Sequence, residues 1–218
     1  MKKAILFGAS GFVGSYLLRD LLQNDIYEEV IIVVRKPLGL QHPKLKTIIA
    51  HYETLAQHQN ELVADEVFIA LGTTKKKTPD EKIYYQIDHD YPVLAAQLTK
   101  ANGAKSVLMV SAVGANVNSS IFYVKTKGET ERDVIAVGFE QTHIFRPSMI
   151  MGNRAESRPL EKVFINIFSV VNVLLIGKLN KYKGITASNI AKAMLAAAQR
   201  PAEKVKFYHW KEMQELLH

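Results

Sequence analysis

Tyr123 and Lys127 lie four residues apart, so on any helix that carries them they share one face. That pairing suits proton transfer. A phenol with its ordinary pKa of about 10 is a poor base near neutrality, but an ammonium beside it stabilises the phenolate and lowers that value. Together the two could pass a proton to or from a carbonyl oxygen. Ser111 ends an apolar run just upstream and would emerge on the same side, where it could hydrogen-bond the same oxygen. A tyrosine and a lysine at this spacing recur by chance and alone would be surface decoration. A glycine-rich stretch near the start of the chain gives them a context.

Gly8, Gly11 and Gly14 form GASGFVG directly after a short apolar run and at the mouth of a segment with helical periodicity. In that setting each glycine has a physical purpose, respectively a tight turn, close approach of backbone to a pyrophosphate, and close packing of helix on strand. The helix amino terminus then faces the anion. The expected dinucleotide contacts here are Gly8, Ser10, Gly11, Phe12, Val13 and Gly14. About 20 residues further on, an acidic side chain would accept from the 2′-hydroxyl of NAD. This chain instead has Arg35 and Lys36, two cations suited to a 2′-phosphate, so NADP is favoured over NAD.

The elements that must hold these residues follow a regular rhythm. Residues 3–7, 29–34, 45–50, 66–71, 106–110 and 142–145 read as strands, several of them β-branched with no polar alternation, as strands buried on both faces should be. Helical patterns fall between most of them, clearest at 91–101 and 126–137. Alternation of this kind implies βαβ units and an α/β fold with a doubly wound parallel sheet, the Rossmann arrangement. After Arg146-Pro147 the rhythm changes to a polar stretch, an apolar segment at 163–176, a helix at 187–199 and a short tail. The whole chain reads as one nucleotide-binding domain in which residues 148–218 contribute a small cap on the substrate side.

Composition narrows the function classes. The chain has 218 residues, 48% apolar and 22% charged, which sets aside disordered and low-complexity classes. It has no cysteine, which excludes disulfides, thiolate metal sites and a cysteine nucleophile, and which fits a reducing compartment. With the glycines interrupting any signal-like start, the expected location is cytoplasmic. The net charge of +7 attracts anions without choosing among them. The seven histidines show no ligand spacing, so no metal is expected. Lys75, Lys76 and Lys77 lack the interleaved aromatics that base stacking needs, so no nucleic acid is expected. The 163–176 segment is too short to span a membrane; it should line the substrate pocket or bury itself in a homodimer contact.

At these residues the chain resembles the short-chain dehydrogenase/reductase superfamily, and more closely its atypical group that includes the Tat-interacting-protein oxidoreductases. The similarity lies in GASGFVG at 8–14, LGTT at 71–74, IDHDYPVLAAQLTKANGAKSVLMVS at 87–111, YVKTKGETE at 123–131, FRPSMIMGNRAESRP at 145–159 and AMLAAAQRP at 193–201. The resemblance implies Ser111, Tyr123 and Lys127 as catalytic residues. It also implies cofactor contacts from Leu71, Gly72 and Thr73, from Lys127, and from Arg146, Pro147 and Ser148, those of Gly72 and of the 146–148 stretch being made by backbone. One departure stands out: His51-Tyr52-Glu53 occupies the place where many relatives have an aspartate near the adenine. Arg154 and Arg158 would lie at the substrate edge, or pair with Glu156 or Glu161.

The function expected from this is an NADP-dependent oxidoreductase acting on a small carbonyl or alcohol substrate. The alternative is an NADPH-sensing regulatory or scaffold protein with little turnover.

Overall fold

Strand periodicity sets the architecture. The structure, a computed structural model, describes residues 1–152, 177–200 and 203–218. In β1 (Lys2–Phe7) Ala4 and Leu6 face one side and Ile5 and Phe7 the other, all fully buried; β2 (Tyr27–Val34) alternates in the same way. A strand with apolar residues on both faces must be covered on both faces, and two separate cores result. On one side α1 (Phe12–Leu22) packs against α5 (Ala187–Ala198), whose alanines let the two helices approach closely. On the other lie α3 (Tyr91–Ala101), α4 (Phe122–Ala136) and a 3₁₀ segment, Tyr52–Glu61.

The remaining strands are β3 (Leu45–Ile49), β4 (Glu66–Ile69), β5 (Ser106–Val110), β6 (Gln141–Phe145) and β9 (Val205–Tyr208). With β1 and β2 they form one seven-stranded sheet in the order β3-β2-β1-β4-β5-β6-β9, every pair parallel. This is the doubly wound α/β sheet expected from the sequence. Several edges differ from that reading by one or two residues, β2 starting at Tyr27 among them, and one differs by four. β4 stops at Ile69, although the Ala70 N–H still donates to the Phe7 carbonyl at 2.9 Å, and α4 begins at Phe122, four residues before the periodicity announces it.

The described residues of 148–218 divide between two places. A small parallel ribbon joins β7 (Ile150–Met151) to β8 (Ile185–Thr186). By contrast α5 belongs to the main core, and the stretch read as a short tail supplies β9, paired to β6 from Thr142↔Val205 to Phe145↔Tyr208, before α6 (Trp210–Glu215). That tail is corrected to a strand. Lys204 and Lys206 break up its apolar pattern, as charges commonly do on an edge strand. The 163–176 segment, Arg154, Arg158, Glu156 and Glu161 lie outside the described residues. No described helix is long and apolar enough to cross a membrane.

One core residue makes stability depend on pH. His143 in β6 is fully buried; its Nδ1 meets the Tyr208 hydroxyl at 2.9 Å, while its Nε2 has no partner among the described residues. Burial, helped by the Lys206 charge, pushes its pKa down to about 4. An unfolded histidine titrates near 6.5. Between these values the unfolded chain binds the extra proton, so stability falls as pH drops from about 6.5 to about 4, by on the order of 3 kcal/mol. Urea unfolding at several pH values should show this slope, and His143→Gln should flatten it. An unchanged slope in the variant would assign the acid sensitivity elsewhere.

Candidate active site

Parallel strands finish at one edge of the sheet, and the strand order reverses between β1 and β4, so the loops leaving these two strands part and open a crevice. The turn after β1 shows what glycine is for. Gly8 adopts a left-handed φ of 91°, and a Cβ on Gly14 would lie 2.0 Å from the Gly8 carbonyl oxygen. Both glycines therefore close α1 onto β1 from behind the cavity wall. Gly11 caps α1 without any side-chain acceptor, and no acidic residue stands in the first turn. The positive end of the helix is left for an external anion.

A cavity of about 660 Å³ begins at this helix end and runs past Leu71, Gly72 and Thr73 to Ser111, Tyr123 and Lys127. Tyr123 lies in the first turn of α4, Lys127 one turn on, and Glu131 one turn further. Ser111 follows β5 at its carboxyl end, where its N–H donates to the Phe145 carbonyl at 2.7 Å. Ser111, Tyr123 and Lys127 line one wall of this cavity, and Ser10, Gly11, Phe12 and Val13 line its other end.

Two carboxylates that sequence reasoning misses organise that wall. Asp88 is 1% exposed and lies on a turn of π-helix, Gln86–Asp90, inserted between α2 (Glu81–Tyr85) and α3. The widened turn points Asp88 into the cavity wall while its neighbour His89 reaches Asp133 of α4 at 2.9 Å. Asp88 Oδ1 lies 2.6 Å from Lys127 Nζ, and Oδ2 accepts from the Thr73 N–H at 2.8 Å. One carboxylate therefore holds both the lysine and the loop after β4. Thr130 Oγ1 adds a hydrogen bond to the Asp88 carbonyl at 2.8 Å.

Glu131 is 4% exposed. The Ser111 hydroxyl donates to its Oε1 at 2.5 Å, Arg146 Nε donates to the same oxygen at 2.9 Å, and a second Arg146 nitrogen reaches Oε2. From the sequence, Ser111 is expected to hydrogen-bond a substrate oxygen, whereas the geometry gives its hydrogen to Glu131. A signal for Glu131 is present in the sequence, because Tyr123, Lys127 and Glu131 continue a spacing of four along one helix face.

The Tyr123 phenol also departs from expectation. Its pKa lies above the ordinary value rather than below it: burial contributes most, the Lys127 ammonium pulls downward, and the Asp88 carboxylate pushes back up. Tyr123 is 42% exposed overall, so the desolvation acts on a residue that still opens to the cavity. The phenol keeps its proton at neutral pH.

Besides Gly8 and Gly14, five residues named from the sequence do not line the cavity: Arg35, Lys36, Arg146, Pro147 and Ser148. Arg35 and Lys36 are exposed just beyond β2, and the Arg35 charge acts on Tyr52 and Tyr91, whose rings stack 4.3 Å apart. Glu53, in the unusual His51-Tyr52-Glu53 stretch, accepts from the Tyr91 hydroxyl at 2.7 Å. Arg146 is committed to Glu131 and lies 4.2 Å over the Phe207 ring. The Pro147 carbonyl accepts from the Val113 N–H at 2.9 Å, and Ser148 follows it on the same strand exit.

Comparison with known proteins agrees with this arrangement. A family profile described as NAD(P)H-binding matches residues 8–201. Protein FMP52, mitochondrial, of Kluyveromyces lactis is 35% identical over 154 residues, covering 69% of this chain and 68% of that protein. Protein HTATIP2 of Rattus norvegicus is 31% identical over 164 residues, covering 73% and 67%. Among solved structures, MoeE5 in complex with UDP-glucose and NAD superposes with a TM-score of 0.69 at 18% identity, over 95% of this chain and 76% of that one. At that identity the match speaks for the fold alone.

The expected cytoplasmic location does not stand. The Kluyveromyces lactis relative is named a mitochondrial protein, as are those of Aspergillus fumigatus and Candida glabrata. A lack of cysteine reports tolerance of redox conditions and carries no address. With the family profile running from residue 8 to residue 201 and relatives above 30% identity along two thirds of their length, the chain belongs to the NAD(P)H-binding family, in its atypical short-chain dehydrogenase/reductase group.

Proposed function

We propose that the protein is an NADP-dependent oxidoreductase that moves a hydride between nicotinamide and a carbonyl or alcohol carbon, with Tyr123 giving or taking the proton. The observation that carries this reading is the continuity of one cavity from the uncapped end of α1 to Tyr123 and Lys127. Ser10, Gly11, Phe12 and Val13 would hold the pyrophosphate, and Leu71, Gly72 and Thr73 would flank the middle of the dinucleotide. When bound, the dinucleotide supplies or accepts the hydride. In reduction Tyr123 would donate its proton to the carbonyl oxygen as charge grows there, which completes the alcohol. Lys127, fixed by Asp88, stabilises the resulting phenolate and would bond the nicotinamide ribose.

The test is NADPH oxidation by the purified full chain against a panel of aldehydes, ketones and quinones. Turnover of any of them supports the enzyme. NADPH binding with no turnover across the panel would favour the regulatory alternative.

The choice of NADP rests on Arg35 and Lys36, which are exposed at the end of β2. Calorimetry should find NADPH bound more tightly than NADH by about 10- to 100-fold, the worth of charge-assisted hydrogen bonds to a 2′-phosphate. Arg35→Ala should erase most of that difference. Equal affinities in the unmodified protein would remove the argument for NADP.

A further inference from the structure

The geometry points to Glu131 as a positioning residue that fixes Ser111 as a hydrogen-bond acceptor in the site, so that the substrate is a carbonyl compound bearing a hydroxyl or N–H beside the reacting carbonyl. This rests on the oxidoreductase reading for its chemistry, and on hydrogen-bond geometry alone for the polarity of Ser111. A hydroxyl has one hydrogen to give. Ser111 Oγ lies 2.5 Å from Glu131 Oε1, and both residues are buried, at 5% and 4% exposure. Which partner holds the hydrogen is decided by Arg146.

A guanidinium stays charged at any pH a protein meets, and here it grips both oxygens of Glu131 in a fork. Both Glu131 oxygens therefore act as acceptors, each taking an N–H from that fork, and guanidinium nitrogens have nothing to accept with. The hydrogen between the two therefore belongs to Ser111 and points at Glu131. Its lone pairs remain for the cavity that Ser111 lines beside Tyr123 and Lys127.

The two hydroxyls then differ in character. Tyr123 keeps its proton and donates, whereas Ser111 accepts. A carbonyl oxygen, which only accepts, is served by Tyr123 alone. A hydroxyl or N–H on the adjacent carbon finds its partner in Ser111. An α-hydroxycarbonyl in the reductive direction, or a vicinal diol in the oxidative one, satisfies both at once. A simple ketone leaves Ser111 without a partner and loses the contribution of one buried hydrogen bond.

Two measurements test this. Neutron diffraction from deuterium-exchanged crystals of the full chain with NADPH should place the Ser111 deuteron on the line to Glu131 Oε1. A deuteron turned into the cavity, or sitting on Glu131, would overturn the proposal whether or not a substrate is known. Kinetics then read the consequence with hydroxyacetone and methoxyacetone, which differ in the donor hydrogen. Unmodified enzyme should favour hydroxyacetone in kcat/KM by about tenfold. In Ser111→Ala the ratio should fall to near one. In Glu131→Gln it should fall as well or invert, because a side-chain amide can donate to Ser111 and release its hydrogen toward the cavity. A ratio near one in the unmodified enzyme removes the acceptor role, and an undiminished ratio in Glu131→Gln removes Glu131 as its cause. If neither compound is turned over while the deuteron lies toward Glu131, the substrate class is wrong and the polarity of Ser111 stands. If NADPH itself fails to bind, the oxidoreductase reading is what has failed.

Discussion

Tyr123→Phe is expected to leave NADPH binding and folding nearly unchanged and to lower turnover by about 10²- to 10⁴-fold, the usual worth of a positioned acid. The substitution removes one oxygen from a residue that is 42% exposed, so little packing is disturbed. What disappears is the proton donor at the end of the cavity nearest Lys127. The pH profile gives a second signature. Burial outweighs the pull of Lys127, so the phenol titrates above its ordinary value. Reduction, which needs the protonated phenol, should therefore run level through neutrality and decline only on the alkaline side. Oxidation, which needs the phenolate, should rise with pH over the same range. Both limbs should vanish in the phenylalanine variant. A variant that works at the unmodified rate with its alkaline limb intact would show that the acid is another group.

The parts of this protein legible in the sequence are those where one constraint acts on a short stretch. GASGFVG is readable because a positive φ at Gly8 and the 2.0 Å approach at Gly14 admit no side chain. β2 is readable because burial on both faces leaves an unbroken apolar run. β9 escapes because an edge strand flanked by lysines has no such run, and its place beside β6 is set by pairing with residues some sixty positions earlier. The site divides along the same line. Tyr123 and Lys127 share one helix face, so their spacing betrays them. Asp88 looks like an ordinary helix-surface carboxylate in a chain with 21 acidic residues, and the spacing that joins Glu131 to Tyr123 and Lys127 marks a shared face without marking burial. Their burial comes from partners far off in sequence: Lys127 and Thr73 for the one, Ser111 and Arg146 for the other. The direction of the Tyr123 pKa shift is hidden for a related reason. The nearby lysine is visible in the sequence, while the burial and the second carboxylate that oppose it are not.

Asp88→Asn is expected to be the most damaging conservative change in the site. The Asp88–Lys127 pair is almost wholly removed from water, with side-chain exposures of 1% and 8%. Breaking such a pair by neutralising one partner costs about 3–5 kcal/mol, because the remaining charge stays buried without its counter-ion. An amide of the same size cannot repair the loss. Its single oxygen can accept from the Thr73 N–H or from Lys127, and its NH₂ then faces whichever donor is left. Urea unfolding should register this destabilisation, and NADPH affinity should fall with it, since the same carboxylate places both Lys127 and the Gly72-Thr73 backbone. A purely structural role would stop there. Asp88 also holds the proton on Tyr123, so its neutralisation should move the alkaline limb of reduction to lower pH. Asp90→Asn supplies the contrast. That carboxylate sits on the same turn but at the surface, 2.8 Å from His89 Nδ1. An exposed pair of this kind is worth at most about 1 kcal/mol, and it has no line to Tyr123. If Asp88→Asn proves as mild as Asp90→Asn in stability and leaves the alkaline limb in place, the carboxylate organises neither the lysine nor the acid.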